Sequence, residues 1–455
     1  MMGQSGWPNI ASLNWVQGIL CERFGLEVQL SLVAERVARL SLRGLEGFIE
    51  FKLDPLTFNR TDSDLPCGSW LPASEGWAQV YLSELPAPGV EVIPTPLLVQ
   101  TTQGYQIHYD VLGLTYWMLA RCEEVGCRDV DEHGRFPAQL SNAFKCGYLD
   151  RPVVDEWLAL VGQVIERQWP GLPVKAHKFS IKVSHDVDEP SRYAFRSVKG
   201  LIRAVGGDLF KRADIAGAIR APIIKLTSGQ RLSRLDPCNT FSWLMDESER
   251  RGLVSAFYFI CGRTDPAKDA DYELEHPAIR HLLRTIHTRG HEIGLHPSYN
   301  TYLCDDALKN EADRLRKICS EEGISQPSWG GRMHYLRWSQ PATLVAWEKA
   351  GMAYDSTLGY AEHPGFRCGT CHEYQGFDPV QQRVLKVRIR PLIVMDVTVI
   401  SSAYLGLGAG KEAKELVERF KMACASVGGV FTFLWHNSNF MTLDERALYL
   451  DILDS

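Results

Sequence analysis

Beyond residue 178 the chain repeats short runs of aliphatic and aromatic residues: FSIKVSHD (179–186), VSAFYFI (254–260), HEIGLH (291–296), SWGGR (328–332), AYDS (353–356), IVMDVTV (393–399) and VFTFLWH (430–436). Apolar runs this short, bounded by turn residues, predict buried strands. Between them, PAIRHLLRTIHTRG and DDALKNEADRLRKICSEEG place apolar residues at helical spacing and stop at a glycine; the second opens on acidic residues, which suit a helix N-terminus. Strand and helix in alternation predict an α/β fold, either a barrel or a layered sheet.

Before residue 170 the pattern is mixed. Val111 to Val125 (VLGLTYWMLARCEEV) predicts a buried helix, and Val92 to Gln100, with Pro94 and Pro96, an edge strand or loop. QWPGLPVKAHK then breaks the periodicity. The expected division is a smaller mixed α/β domain over 1–172 and a second domain over 173–455. DEHGRFP (Asp131–Pro137) predicts a turn with His133 on the surface, and the first domain is assigned no catalytic role.

Composition narrows the class. With 455 residues, 45% hydrophobic and 23% charged, and no apolar run long enough to cross a bilayer, the chain reads as globular and enzyme-sized. The net charge of -6 offers no general attraction to nucleic acid. Met1 to Leu20 lacks the layout of a secretory signal, so a cytoplasmic protein with buried thiols is expected. Cys368-Gly-Thr-Cys371-His372 spells the spacing of haem attachment, but with no export signal and no second ligand pair it reads as loop thiols. Residues 191–237 depart from the overall balance, with ten Lys/Arg against three Asp. Leu201, Ile202, Val205 and Leu209 fall there at helical spacing beside Arg192, Arg196, Lys199 and Arg203, the pattern of a cationic amphipathic helix. It reads either as a solvated cover or as a peripheral contact with anionic membrane at the inner face.

Chemistry collects at the ends of the predicted strands: Asp186, Asp188, His296, Arg332, Asp355, Asp396 and His436. In α/β barrels that rim carries the active site. One of Asp186 and Asp188 binding a divalent ion with His296 leaves the other free to take a proton from an activated water.

SHDVDEP, GHEIGLHPSYN, GGRMHYLRW and FLWHN resemble diverged motifs of the polysaccharide deacetylases of the NodB-homology type, in order over residues 173–455. The resemblance implies a distorted (β/α)7-type barrel and a metal-dependent hydrolase that removes acetyl groups from the nitrogen or oxygen of a sugar, in bacterial surface polysaccharide biosynthesis. It implies Asp186 as base, Arg332 orienting it, His436 as acid, and Asp188 and His296 as ligands of zinc or, alternatively, nickel, cobalt or manganese. The family's acidic pair is adjacent, whereas Val187 separates the two here, which leaves their roles interchangeable. Asn300 stands where the second ligand histidine belongs, and so becomes the third expected ligand. Tyr335, Trp338 and Trp435, with Trp329, are candidates to stack on a carbohydrate, free or lipid-linked. Asn300 favours a catalytically degenerate glycan-binding scaffold as the alternative. A glycosidase recruiting Asp355 and Asp396 leaves both histidines idle and ranks last.

Overall fold

Asn9 caps the first helix, α1 (Ile10–Phe24), by accepting from the Ser12 N–H while the Ser12 hydroxyl accepts from its own N–H. Alternating apolar positions then build an antiparallel meander of β1 (Val28–Ala34), β2 (Val37–Leu42) and β3 (Phe48–Lys52), with Ala38, Leu40, Ile49 and Phe51 turned into the core. After a ribbon of β4 (Cys67–Trp70) and β5 (Leu85–Pro88), the strands β6 (Leu98–Gln100) and β7 (Gly104–Ile107) complete a five-stranded sheet, β1-β2-β3-β7-β6. β6 lies at its edge, just after the two prolines. The buried helix α2 (Val111–Leu119) is covered by α3 (Val153–Gln168). The computed structural model describes residues 6–211 and 215–454, so residues 212–214 of the basic insertion lie outside the described residues.

The second sheet holds nine strands: β8 (Ser180–Val187), β9 (Ser255–Ile260), β10 (Glu292–His296), β11 (Gly330–Gly331), β12 (Tyr354–Asp355), β13 (Tyr374–Asp378), β14 (Arg383–Ile389), β15 (Val394–Met395) and β16 (Val430–Leu434). Their order is β13-β14-β12-β11-β10-β9-β8-β16-β15, parallel except for the β13/β14 hairpin. The mixed α/β class is as expected; the sheet does not close by hydrogen bonding among the described residues, so the strand order by itself does not show the expected (β/α)7-type barrel. β14 joins β12 in parallel and carries β13 antiparallel outside it, so this edge ends in a hairpin, while the opposite edge is only the two-residue β15. The run 393–399 is likewise not one strand. After Val394–Met395 it turns into a short helix, Asp396–Ile400.

The two sheets belong to the two expected halves, yet their apolar cores are continuous. Trp15 of α1 stacks on Phe377 of β13 at 4.7 Å between ring centres. Glu124, following α2, accepts from both Arg121 and Arg367, all of them buried. The segment 191–237 emerges after β8 as two helices, α4 (Val198–Lys211) and α5 (Ile215–Thr227).

Candidate metal centre

The parallel strands deliver their C-terminal ends to one place. Side chains two apart on a strand share a face, so Ser184, Asp186 and Asp188 project together from the end of β8. β10 ends on His296, β11 leads to Arg332 and His334, β15 leads to Asp396, and β16 to His436. β11 passes β10 so closely that a Cβ on Gly331 would lie 1.8 Å from the Leu295 carbonyl oxygen, a distance only glycine permits. The Arg332 N–H then donates to that same carbonyl at 3.0 Å.

Arg332 is fully buried and spans the floor of the site. Its Nη1 donates to Asp186 Oδ1 at 2.8 Å, Nη2 to the Ser184 and Ser356 hydroxyls, and Nε to the Ser356 carbonyl. The guanidinium, itself held by the two serines, thus anchors one oxygen of the Asp186 carboxylate. Asp188 makes no such bond; its Oδ1 is buried without a hydrogen-bond partner. Facing that oxygen are His296 Nε2 at 3.3 Å and His334 Nε2 at 3.7 Å, and His436 Nε2 lies 3.7 Å from Oδ2. One ligand atom each from Asp188, His296 and His334 falls within 4.8 Å of the others.

Each imidazole is turned by an acceptor behind it. His296 Nδ1 donates to the Arg332 carbonyl at 2.6 Å, His334 Nδ1 to Asp269 Oδ1 at 3.1 Å, and His436 Nδ1 to Asp396 Oδ1 at 2.8 Å. A carbonyl or carboxylate only accepts, so the proton sits on Nδ1 and Nε2 is directed at the cluster. Two Nε2 atoms and an unpartnered carboxylate oxygen form a donor set that suits a divalent ion such as zinc. The charges agree with that. Burial by itself would raise the Asp188 carboxyl, but His334, His296 and His436 hold it well below the usual carboxylate range. For His436, burial works against the charged form, and Asp396, Asp188 and Asp186 outweigh it, pushing the imidazole up to about 10.

The expected third ligand is corrected. Asn300 is exposed and turned away, its amide donating to the Thr264 carbonyl and accepting from Arg337. His334 stands beside Asp188 in its place. The signal for it lay in GGRMHYLRW: His334 follows Arg332 by the same two-residue step that separates Asp188 from Asp186. Asp269, which backs it, comes from a loop after β9 with no pattern to mark it.

Two proposed stacking residues are also corrected. Trp338 and Trp435 are each 2% exposed, with their indole N–H groups spent on Asp355 and the Asn439 carbonyl, so neither offers a face to a sugar. Trp329 packs half-buried on the core. Tyr335 does reach the site, projected by left-handed backbone at Tyr335 (φ 60°) and Leu336 (φ 55°). Asp355 is buried against Trp338 and Thr357, with burial pushing its carboxyl up to about 6, and does not line the cavity.

The site opens into a cavity of about 880 Å3, lined by Asp186, Asp188, His296, His334, Tyr335 and His436 among others. That is room for a sugar unit with its substituents. The first half also supplies part of the wall. Arg135 lines the cavity and donates to the Tyr335 carbonyl at 3.0 Å, and the His133 carbonyl accepts from Arg337. His133 is therefore packed against the site, on Tyr299 and Tyr335, instead of standing free on the surface. Cys368 and Cys371 are buried free thiols. Asp155, Cys371 and His372 come together nearby, but Asp155 is already bound by Arg23, Thr370 and the Cys371 N–H.

Residues 16–170 match a family of unknown function, DUF7033. No curated protein matches the chain. Among solved structures it is similar to a chain from Mycobacterium smegmatis described as a polysaccharide deacetylase, with 16% identity and a TM-score of 0.39 over 63% of this chain and 84% of that one. It is also similar to Puue allantoinase, with 10% identity and a TM-score of 0.35 over 63% and 85%.

Proposed function

We propose that the chain is a metal-dependent hydrolase that removes acetyl groups from a sugar or polysaccharide precursor, in surface polysaccharide biosynthesis. The observation that carries this reading is the convergence of Asp188, His296 and His334 within 4.8 Å, with Asp186 on one flank and His436 on the other. The ordered motifs from SHDVDEP to FLWHN support acetyl removal from a glycan as the reaction. Asn300 no longer argues for a degenerate scaffold, because His334 provides the second imidazole.

Asp188, His296 and His334 would hold the ion. When bound, a divalent metal supplies Lewis acidity towards an acyl oxygen and a water molecule. Asp186, with Oδ1 pinned by Arg332, keeps Oδ2 free to accept the proton of the attacking water. His436, charged through Asp396, donates its Nε2 proton to the departing amine or alcohol. Arg135 and Tyr335 wall the cavity in which the sugar lies.

The test pairs elemental analysis of protein purified without chelator with acetate release from acetylated oligosaccharides. Near-stoichiometric zinc, nickel, cobalt or manganese, with acetate released by the wild type and not by Asp186→Asn, is the expected result. A folded protein that takes up no added metal and releases no acetate would overturn the reading.

A further inference from the structure

Among the described residues, the helical pair α4 and α5 leaves one face without a partner. On the inner side, Leu201, Ala204 and Val205 of α4 pack with Tyr193, Ala221 and Ile224 into a small core of their own. On α4, Val198, Ile202 and Leu209 follow one another on a single flank and stay in water with Phe210, which is 90% exposed. On α5, Ile215, Ile219 and Ile223 recur every fourth residue, and with Leu226 at 85% exposure they form an outer stripe opposite the packed one. Isolated apolar residues on a surface need no explanation, but a run of large ones along both helices does.

The charges on this element are sorted as well. Two of its acids, those among the described residues, turn inward: Asp208 is buried and takes Arg192 and the Tyr193 hydroxyl, while Asp236 is buried and accepts from Ser191 and the Arg192 N–H. Lys199, Arg203 and Arg220 remain exposed and make no ion pair among the described residues. The surface that the described residues offer to solvent is thus apolar and cationic, in a chain whose net charge is -6. A polyanionic glycan would satisfy the cations and leave the aliphatic stripes wet. A second copy of the same face would cover the stripes and bring like charges together.

We infer that α4 and α5 dock through this face on an anionic lipid bilayer, the stripes entering the headgroup boundary and Lys199 and Arg220 meeting lipid phosphates. An interfacial helix pair combines these two features. Gly200, Arg203, Ala204 and Gly207 of α4 line the cavity, so the candidate site opens within about one helix diameter, ~10 Å, of the docked element. The inference rests on this surface alone and stands whether or not the site removes acetyl groups.

The full chain is sedimented with phosphatidylcholine vesicles containing phosphatidylglycerol, and with phosphatidylcholine alone, at low and high salt. Binding to the anionic vesicles that weakens with salt is expected. Phe210→Glu with Ile219→Glu should abolish it while the circular dichroism melt is retained. Lys199→Gln and Arg220→Gln should each weaken it roughly fivefold, and these variants carry the test if the double glutamate variant does not fold. Absence of binding, or equal binding to neutral vesicles, would overturn the proposal. So would a dimer without vesicle binding that Phe210→Glu with Ile219→Glu converts to monomers, which would assign the face to a second copy.

Discussion

His296, His334 and His436 all aim Nε2 at Asp188, and they differ in what stands behind them: a backbone carbonyl for the first, a carboxylate for the other two. His334→Ala should therefore lose bound metal as completely as His296→Ala, while Asn300→Ala keeps it, read as metal per chain after dialysis. Asp269→Asn keeps a partner for His334 but removes the charge that orients it, and metal affinity should fall about 10–100-fold in a competition titration with a chelator. Asp186→Asn and His436→Ala should each lower acetate release about 10²–10⁴-fold in protein that is still folded by circular dichroism at the assay temperature. His334 could have been found at this scale, because it repeats the two-residue step of the acidic pair. Asn300 was misplaced because spacing carried over from a family says nothing of where a loop turns its side chain.

At the scale of elements, the site depends on how closely β10 and β11 run. Gly331→Ala would set a methyl against the Leu295 backbone, so β11 must retreat and carry Arg332 with it. Loss of both thermal stability and metal content is expected, measured on the same preparation. The runs at 179–186, 254–260, 291–296 and 430–436 are legible as strands because they are buried on both faces. The β13/β14 hairpin is not: Arg383–Ile389 alternates exposed and buried positions among basic residues, and its place beside β12 is decided by packing against distant helices. Asp396 sits in an apolar run that reads as strand, and only the turn into a helix after Met395 brings it behind His436.

Across the whole molecule, the two halves are tied by buried charge. Glu124→Ala would leave Arg367 buried without its carboxylate and Arg121 with Glu123 alone, and a loss of about 3–5 kcal/mol is expected in urea unfolding. His372, by contrast, is buried uncharged near Arg23 of the first half. Burial and then the nearby Arg23 lower its imidazole from 6.5 to about 4. Between these values the unfolded chain takes up a proton that the folded one refuses. Its contribution is complete above pH 6.5 and is lost as pH falls towards 4, by up to about 3 kcal/mol. Wild type should accordingly lose more stability than His372→Gln between pH 6.5 and 4, as read from urea midpoints at both values.

The sequence by itself determined the alternation of strand and helix, the gathering of Asp186, Asp188, His296, Arg332 and His436 at strand ends, and the cationic amphipathic character of 191–237. These follow from local periodicity, which a strand's two-residue repeat and a helix's turn impose on neighbouring residues. Only the tertiary structure decided the order of the nine strands, that His334 and not Asn300 faces Asp188, that Trp338 and Trp435 are core, and that Arg135 of the first half walls the cavity. Each of those depends on contacts between residues far apart in the chain, where the packing of one segment fixes the direction of another.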